Sequence, residues 1–478
     1  MFEPASHDRI AVQFGGAEAG QGPLTWGQKA IWQDMQESGS QFSMGGWLEL
    51  PDGSTIGDAS AVMSGAMGRH AALRMRLATD SSGRLGQEIA GSGQASLEIL
   101  TLPDDCDPAY AAQYAAELMD SWPFSRFDFE RDWPLRMAVI RLRGACLHMV
   151  WVLSHLAADG GGNVLLLEDL LADETARLAA SERRPKLLDV ARSEQTPQLR
   201  QLSDRAMRYW ESQLRRVPAQ TFGATAPAPP PGHQGSRYSQ VRFSSPAAHL
   251  AMLAIARRTG TDASRVTLAV IATALGRSAG VHPLTVKVAV NNRFRPGFAD
   301  LIAPVSQNAV LTIDVADTTV DDVVGRTRSA SLSAGMRAYY DPDALSEVTA
   351  RVAAERGYPA RVTCRVNDQR AMVMGGRADD DPAEVTPEQL RQKRAESALT
   401  WLGPRDFLLE QAFIVVENRP DVVSLHVLWD LWSLTSAQVE AFLRCVEEVA
   451  VAAALDPAAP TGVSSAATEG TAPAPGPR

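Results

Sequence analysis

Cysteine and lysine are both scarce in this sequence. The only cysteines of the 478 residues are Cys106, Cys146, Cys364 and Cys445. They form neither a CxxC pair nor a cluster with histidine, which argues against a disulfide framework and against a zinc site. A reducing, cytoplasmic setting is expected. Lysine occurs only at positions 29, 186, 287 and 393, and the other basic residues are arginines that gather at most in pairs such as Arg183-Arg184 and Arg257-Arg258. With 46 basic against 56 acidic residues the formal net charge is −10, so the chain has no basic stripe of the kind that neutralises a phosphate backbone. Nucleic-acid binding is excluded on that ground. No stretch approaches the roughly 18 consecutive apolar residues that a bilayer-spanning helix needs. The first residues lack the basic and apolar segments of an export signal, so neither export nor membrane anchoring is expected. No GxxxxGK[ST] or GxGxxG follows a strand, which removes the usual phosphate-cradling loops.

What remains is ordinary globular material, 45% hydrophobic and 21% charged, long enough for two or three cores. Apolar spacing predicts a first helix over 23–37 with Thr25 as its cap, and a second over 58–70 leading into a strand at Leu73–Leu77. Residues 135–142 and 147–154 read as two strands joined tightly at Arg143-Gly144, and the second runs directly into His155. A helix over 163–180, capped by Asn163, follows three glycines. Another at 198–215 carries Tyr209-Trp210 and precedes a proline-rich linker loop at 221–235. Beyond it, strands at 237–243, 284–290, 308–315, 411–417 and 423–430 alternate with helices at 247–259, 264–278, 320–337 and 434–454. Both halves are therefore mixed α/β, with a boundary near residue 190. The acidic run Asp379-Asp380-Asp381 reads as an exposed loop rather than a cation site, and no metal site is expected. Residues 457–478 contain too few large apolar side chains to pack and are expected to be disordered.

The segment with chemical content is Ser154-His155-Leu156-Ala157-Ala158-Asp159-Gly160-Gly161-Gly162. A histidine at the exit of an apolar strand, followed by small residues, can present its imidazole to a ligand while the backbone turns away. Imidazole titrates near neutrality and suits removal of a proton from an attacking amine or hydroxyl. A glycine N–H beside it could stabilise a tetrahedral oxyanion, and the aspartate four residues on could orient the loop. Taken alone, HxxxDG is a short pattern that arises by chance.

The surroundings extend it. Pro23-Leu24-Thr25-Trp26-Gly27-Gln28-Lys29-Ala30-Ile31-Trp32 is similar to SxAQxRLW, and Arg69-His70-Ala71-Ala72-Leu73-Arg74 to RHExLR. Phe127-Asp128-Phe129 with Pro134-Leu135-Arg136 is similar to FDL…PLR, and His155–Gly160 to the core of HHxxxDG. Further on, Tyr209–Leu214 is similar to YWxxxL, Asn292-Arg293-Phe294-Arg295 to GRxR, and Leu301–Leu311 to IGFFVNTLPLR. Leu425–Glu440 is similar to the closing strand and helix with YDxxLF. These pieces follow the order found in condensation domains of nonribosomal peptide synthesis, members of the chloramphenicol acetyltransferase-like superfamily. The chain resembles that family from about residue 20 to 455.

The resemblance implies two acetyltransferase-like lobes, 1–190 and 191–456, arranged as a V around an active-site tunnel. It implies amide or ester formation from acyl or aminoacyl thioesters. These would be held on the phosphopantetheine of acyl or peptidyl carrier proteins recruited in trans, with a small-molecule acceptor and no bound cofactor. His155 and Gly160 would be catalytic. Asp159 would hold the loop by pairing with Arg293, and Ser154, Gln307 and Asn308 would lie along the substrate tunnel. The sequence departs from the pattern at Ser154, where the family's first His stands, at Ala30, where it has Arg, and at Pro304, where it has an aromatic residue. Its Asn aligns with Gln307, one place before Asn308. No adenylation or carrier signature is visible, so a freestanding monomer is expected, with Arg183-Arg184-Pro185-Lys186 as a candidate carrier patch. An acyl-CoA-dependent acyltransferase and a non-catalytic module recruiting carrier proteins or tailoring enzymes are the competing expectations.

Overall fold

The computed structural model describes residues 4–121, 126–172, 185–222, 235–372 and 385–465. The chain forms two compact units, one comprising Met1–Gln201 with Asn291–Gln307, the other Leu202–Val290 with Asn308–Arg478. The stretch after 190, expected to open the second lobe, thus packs with the first unit. Tertiary contacts hold it there: the Leu187 and Leu188 amides just before it donate to the Glu18 carboxylate (3.1 and 2.8 Å), and buried Glu194 accepts from the Trp26 amide at 2.8 Å.

The first unit contains β1 (Ser6–Gly15), β2 (Gly20–Pro23), α1 (Trp26–Ser38), β3 (Ser43–Glu49), α2 (Ile56–Arg69), β4 (Met75–Thr79) and β5 (Leu85–Ile89). It continues with β6 (Ser92–Thr101), α3 (Pro108–Ser121), β7 (Leu135–Leu142), β8 (Ala145–Ser154), α4 (Gly160–Leu171) and α5 (Leu187–Ser193). Its main sheet has the order β1-β6-β7-β8-β3, parallel only between β6 and β7, and β2-β5-β4 form a small second sheet. β7 and β8 are apolar on both faces because helices cover both. Ala138, Ile140, Val150 and Val152 pack with Tyr114 and Leu118 of α3. The alternate residues Met137, Val139, Met149, Trp151 and Leu153 are equally buried. Arg143 (φ 50°) and Gly144 (φ 84°) form the two-residue turn that sets this register. That register delivers His155 at the end of β8, beside β3, where its amide donates to the Phe42 carbonyl at 2.9 Å.

Helix α6 (Pro197–Leu214) opens within the first unit and gives its greater part to the second. There follow β9 (Tyr238–Ser245), α7 (Pro246–Thr259), α8 (Ala263–Ala279), β10 (Leu284–Val290), β11 (Gln307–Ile313), α9 (Val320–Gly335) and α10 (Pro342–Arg356). The chain then forms β12 (Cys364–Asp368), α11 (Pro387–Arg394), β13 (Ala398–Arg405), β14 (Ala412–Glu417), β15 (Val423–Asp430) and α12 (Ser436–Leu455). One sheet, ordered β11-β10-β12-β14-β15-β9-β13, is parallel from β10 through β14 and antiparallel from β14 to β13. Helix α8 is buried without interruption from Val266 to Gly276, as expected of a helix apolar on all sides, with α7, α9 and α12 packed against it.

The C-terminal expectation requires correction. Residues 457–465 are laid down on the second unit: Val463 and Ala459 accept from the Asp317 and Val320 amides (2.9 and 3.0 Å), and the Thr461 amide donates to the Thr318 carbonyl. Ala459 and Thr461 are buried, and Val463 fits where Gly276 lacks a side chain. Backbone hydrogen bonds hold the segment without large apolar side chains, and Arg277 of α8 adds donors to the Pro460 and Thr461 carbonyls. Residues 466–478, most of the proline-rich loop at 221–235, Arg183-Arg184 and the Asp379–Asp381 run lie outside the described residues.

Candidate active site

From Trp151 to Gly162 every residue is buried except His155 and Gly160, which remain partly accessible. Ser154 has no exposed surface. Its amide donates to the Pro134 carbonyl at 2.9 Å, its hydroxyl accepts from the Leu156 amide at 3.2 Å, and its carbonyl accepts from Ala157. The hydroxyl therefore organises the turn after β8 and offers no surface to a substrate, contrary to the expectation that Ser154 lines a tunnel.

Helix α4 starts at Gly160, three residues before the expected start, and Asp159 is its N-cap, accepting from the Gly162 amide at 2.8 Å. Asn163 instead ties α4 to β8 and β3, its carbonyl oxygen accepting from the Trp151 indole (2.9 Å) and its amide donating to the Gly45 carbonyl (3.0 Å). Helix α4 ends at Leu171, with Ala172 extended as its C-cap, and residues 173–180 of the expected helix lie outside the described residues.

Asp159 is buried and fully partnered. Arg293 donates to both its oxygens (3.0 and 2.9 Å), and the Val305 and Ser306 amides donate to Oδ2 at 3.0 and 2.8 Å. Burial pushes its pKa up, but the Arg293 charge and these hydrogen bonds outweigh that and hold it below the ordinary value of 3.8. Arg293 sits in a short 3₁₀ turn, Asn292–Phe294, and also donates to the carbonyls of Leu301 and Ala303. Its guanidinium lies flat on the first turn of α4, where a Cβ on Gly161 would stand 2.9 Å from it. The glycines are thus required by close approach of an arginine rather than by a sharp turn, since neither Gly161 nor Gly162 has a positive φ. The segment holding Asp159 is braced in turn by α1, whose Gly27 lies so close to the Pro304 carbonyl that no side chain fits.

The other end of α4 is held by residues outside the predicted site. Asp169, buried on this helix, pairs with Arg69 (2.6 Å) and stands 3.4 Å from His70 Nε2. Burial pushes the Asp169 carboxyl up, while the His70 and Arg69 hydrogen bonds and charges bring it well below the carboxylate range. The sequence signal was an acid on the apolar stripe of a helix reading Val-Leu-Leu-Leu-Glu-Asp-Leu-Leu, together with the Arg69-His70 pair. Of the remaining predicted residues, Gln307 is buried in the first unit. Asn308 is half-buried in the second unit, where its carbonyl accepts from the Tyr340 hydroxyl at 2.8 Å and its buried Oδ1 has no hydrogen-bond partner among the described residues. Among the described residues no three His, Cys, Asp or Glu side chains converge as metal ligands, and no helix is long and apolar enough to cross a membrane.

The partly accessible His155 thus precedes a helix held at both ends, by Arg293 at its start and by Arg69 and His70 at its close. The family model for the condensation domain matches residues 18–356, and the chain belongs to the condensation-domain family. It is 25% identical over 326 residues to CymA, a probable non-canonical nonribosomal peptide synthetase of Salinispora arenicola, covering 65% of this chain and 4% of that relative. This chain thus spans only a small part of that relative's length. Its fold matches a condensation domain described in chain release from the enacyloxin polyketide synthase (TM-score 0.68, 18% identity, 97% of this chain and 86% of that one). It also matches the X-domain of teicoplanin biosynthesis solved in complex with OxyB (TM-score 0.60, 16% identity, 96% and 98%).

Proposed function

We propose that this protein transfers an acyl group from a thioester to an amine or hydroxyl acceptor, forming an amide or ester in natural-product biosynthesis. The observation that carries this reading is the selective exposure of His155 and Gly160 in a segment otherwise buried and fixed by Asp159 and Arg293. The acceptor attacks the thioester carbonyl, the carbon–nitrogen or carbon–oxygen bond forms, and the carbon–sulfur bond breaks. His155 takes the acceptor's proton and returns it to the departing thiolate, or holds the acceptor in line. The Gly160 amide, at the positive end of α4, stabilises the oxyanion. Thioester aminolysis is downhill, so orientation, proton handling and exclusion of water suffice, and no bound cofactor is required. The donor is placed on the phosphopantetheine of an acyl or peptidyl carrier protein, in keeping with the family.

The test is product formation from a defined acyl-carrier donor and a panel of amines and alcohols, followed by mass spectrometry. Loss of product in His155→Ala supports the assignment, and unchanged product removes His155 from the chemistry. Equal turnover with free acyl-CoA and no carrier would make the protein an acyl-CoA-dependent acyltransferase. A recruitment role is the second reading, favoured by Ser154 and Ala30 standing at positions where the family has His and Arg. Binding of a carrier or tailoring enzyme without product from any donor would decide for it.

A further inference from the structure

The sheet of the second unit has two unlike faces. Val286, Cys364, Val366, Ile414 and Val416 share one core with α7, α8 and α12, and the alternate residues of the same strands form the other face. There Lys287 of β10, Arg365 of β12 and Phe413 of β14 stand side by side, because the parallel pairings put 365 opposite both 287 and 413. Leu428 of β15 continues that row, and Asn367, Val415 and His426 form the next. The Arg365 guanidinium lies 5.0 Å from the Phe413 ring centre.

Charge on this face does not balance. Glu410, buried just before β14, pairs with Lys287 at 2.7 Å, while Arg365 stands 4.0 Å from it. Burial pushes the Glu410 carboxyl up, but the charges of Lys287, Arg365 and the exposed Arg361 hold it below its ordinary value of 4.5. One carboxylate thus serves three cations. The carboxylates farther along this face are taken, Glu417 by Arg242 and Asp430 by Arg237. Hydrogen bonding is incomplete as well. Thr363 Oγ1, Arg365 Nε and Asn367 Oδ1, on successive same-face side chains running into β12, are buried without a hydrogen-bond partner among the described residues. Buried polar atoms are ordinarily paired, so a row of three marks a place where something outside the chain completes the set. Water would complete the hydrogen bonds but not the charge, which calls for an anion. The Arg365 and Lys287 side chains remain 22% and 24% exposed, so neither is sealed in.

We propose that this row binds the carboxylate of a small organic acid. Arg365 takes it through two parallel hydrogen bonds, Lys287 adds a second positive charge, and the apolar body of the acid lies over Phe413 and Leu428. In the acyl-transfer reading, on which this step rests, the acid is the acceptor: an amino or hydroxy acid whose amine or hydroxyl is acylated. Its carboxylate keeps its charge throughout, so the product is an N-acyl amino acid or an acyloxy acid. The anion site itself stands on the second unit alone.

Titration calorimetry on the full chain measures binding of 3-phenylpropionate, with 3-phenylpropanamide and inorganic phosphate as controls. Wild type should bind the carboxylate, and bind the amide and phosphate about tenfold more weakly. Arg365→Gln should weaken binding of 3-phenylpropionate about tenfold. Asn367→Asp, which sets a carboxylate beside Arg365 on the same face, should do the same without removing a cation from Glu410, so a folding defect in Arg365→Gln leaves the test intact. No binding of 3-phenylpropionate by wild type overturns the proposal, as does equal affinity for its amide, for phosphate or in Asn367→Asp. In the product assay amino acids should react faster than the amines that lack their carboxylate, and Asn367→Asp should abolish that preference. Carboxylate binding sensitive to Asn367→Asp in a protein that makes no product keeps the site and removes the acyl-transfer reading. Product formed equally from amines with and without a carboxylate does the reverse.

Discussion

Asp159 reaches no substrate-accessible surface, yet it has a guanidinium on two oxygens and three backbone amides within hydrogen-bonding distance. Such a pair is costly to break from one side, because the remaining charge stays buried. Arg293→Ala should therefore lose about 3–5 kcal/mol of stability, read as a lowered denaturation midpoint. Its pH dependence has a definite sign. The carboxyls of Asp159 and Asp169 are depressed in the folded protein, so their contribution is fully present above the unfolded value near 3.8 and disappears as pH falls through the lower folded values. In Asp169→Asn the acid-induced loss of stability should be shallower than in wild type, and an identical pH profile would contradict this account. Gly161→Ala forces a methyl into the Arg293 guanidinium and should cost about 1–3 kcal/mol, measurable by the same titration.

Helix α4 is the element that turns these contacts into a site. Asp159 fixes its start to the 301–306 segment, Asn163 fixes its first turn to β8 and β3, and Asp169 fixes its end to Arg69 and His70. Arg69→Ala frees the far end only, so it should reduce turnover and stability together while leaving the His155 imidazole in place. An NMR titration of His155 beside the kinetic assay would check this. The elements legible in sequence are those with strong periodicity: the β7–β8 hairpin with its Arg-Gly turn, the apolar helix α8, and the closing helix α12 expected over 434–454. The polar, largely exposed strand β1 and the edge strand β13 were not, because most of their side chains face solvent and few, such as Val12, Phe14 and Leu399, pack inward. The start of α4 was misplaced because three glycines read as a turn. Two of them, Gly161 and Gly162, make room for an arginine more than a hundred residues away in sequence, a tertiary contact that local pattern does not carry. The ordered 457–465 segment was missed similarly, since backbone hydrogen bonds and the Arg277 guanidinium hold it rather than large apolar side chains. Truncation after Asp456 should lower stability by about 0.5–3 kcal/mol, seen as a reduced Tm.

At the scale of the molecule, both units are mixed α/β and share the fold of solved condensation domains. The sequence placed His155, Asp159, Gly160 and Arg293 within one motif set, and the structure brings Asp159 and Arg293 into contact within the first unit. The scarcity of lysine and the acidic net charge, which first served to exclude nucleic acid, make the excess of cations around Glu410 a local exception. The central claim is that His155 serves acyl transfer from a thioester. It is tested most directly by measuring the initial rate of amide or ester product, by mass spectrometry, for wild type and a folded His155→Ala protein given the same acyl-carrier donor and acceptor. The account predicts product from wild type and a rate about 10²–10⁴-fold lower in the variant. Equal rates in the two proteins would contradict it.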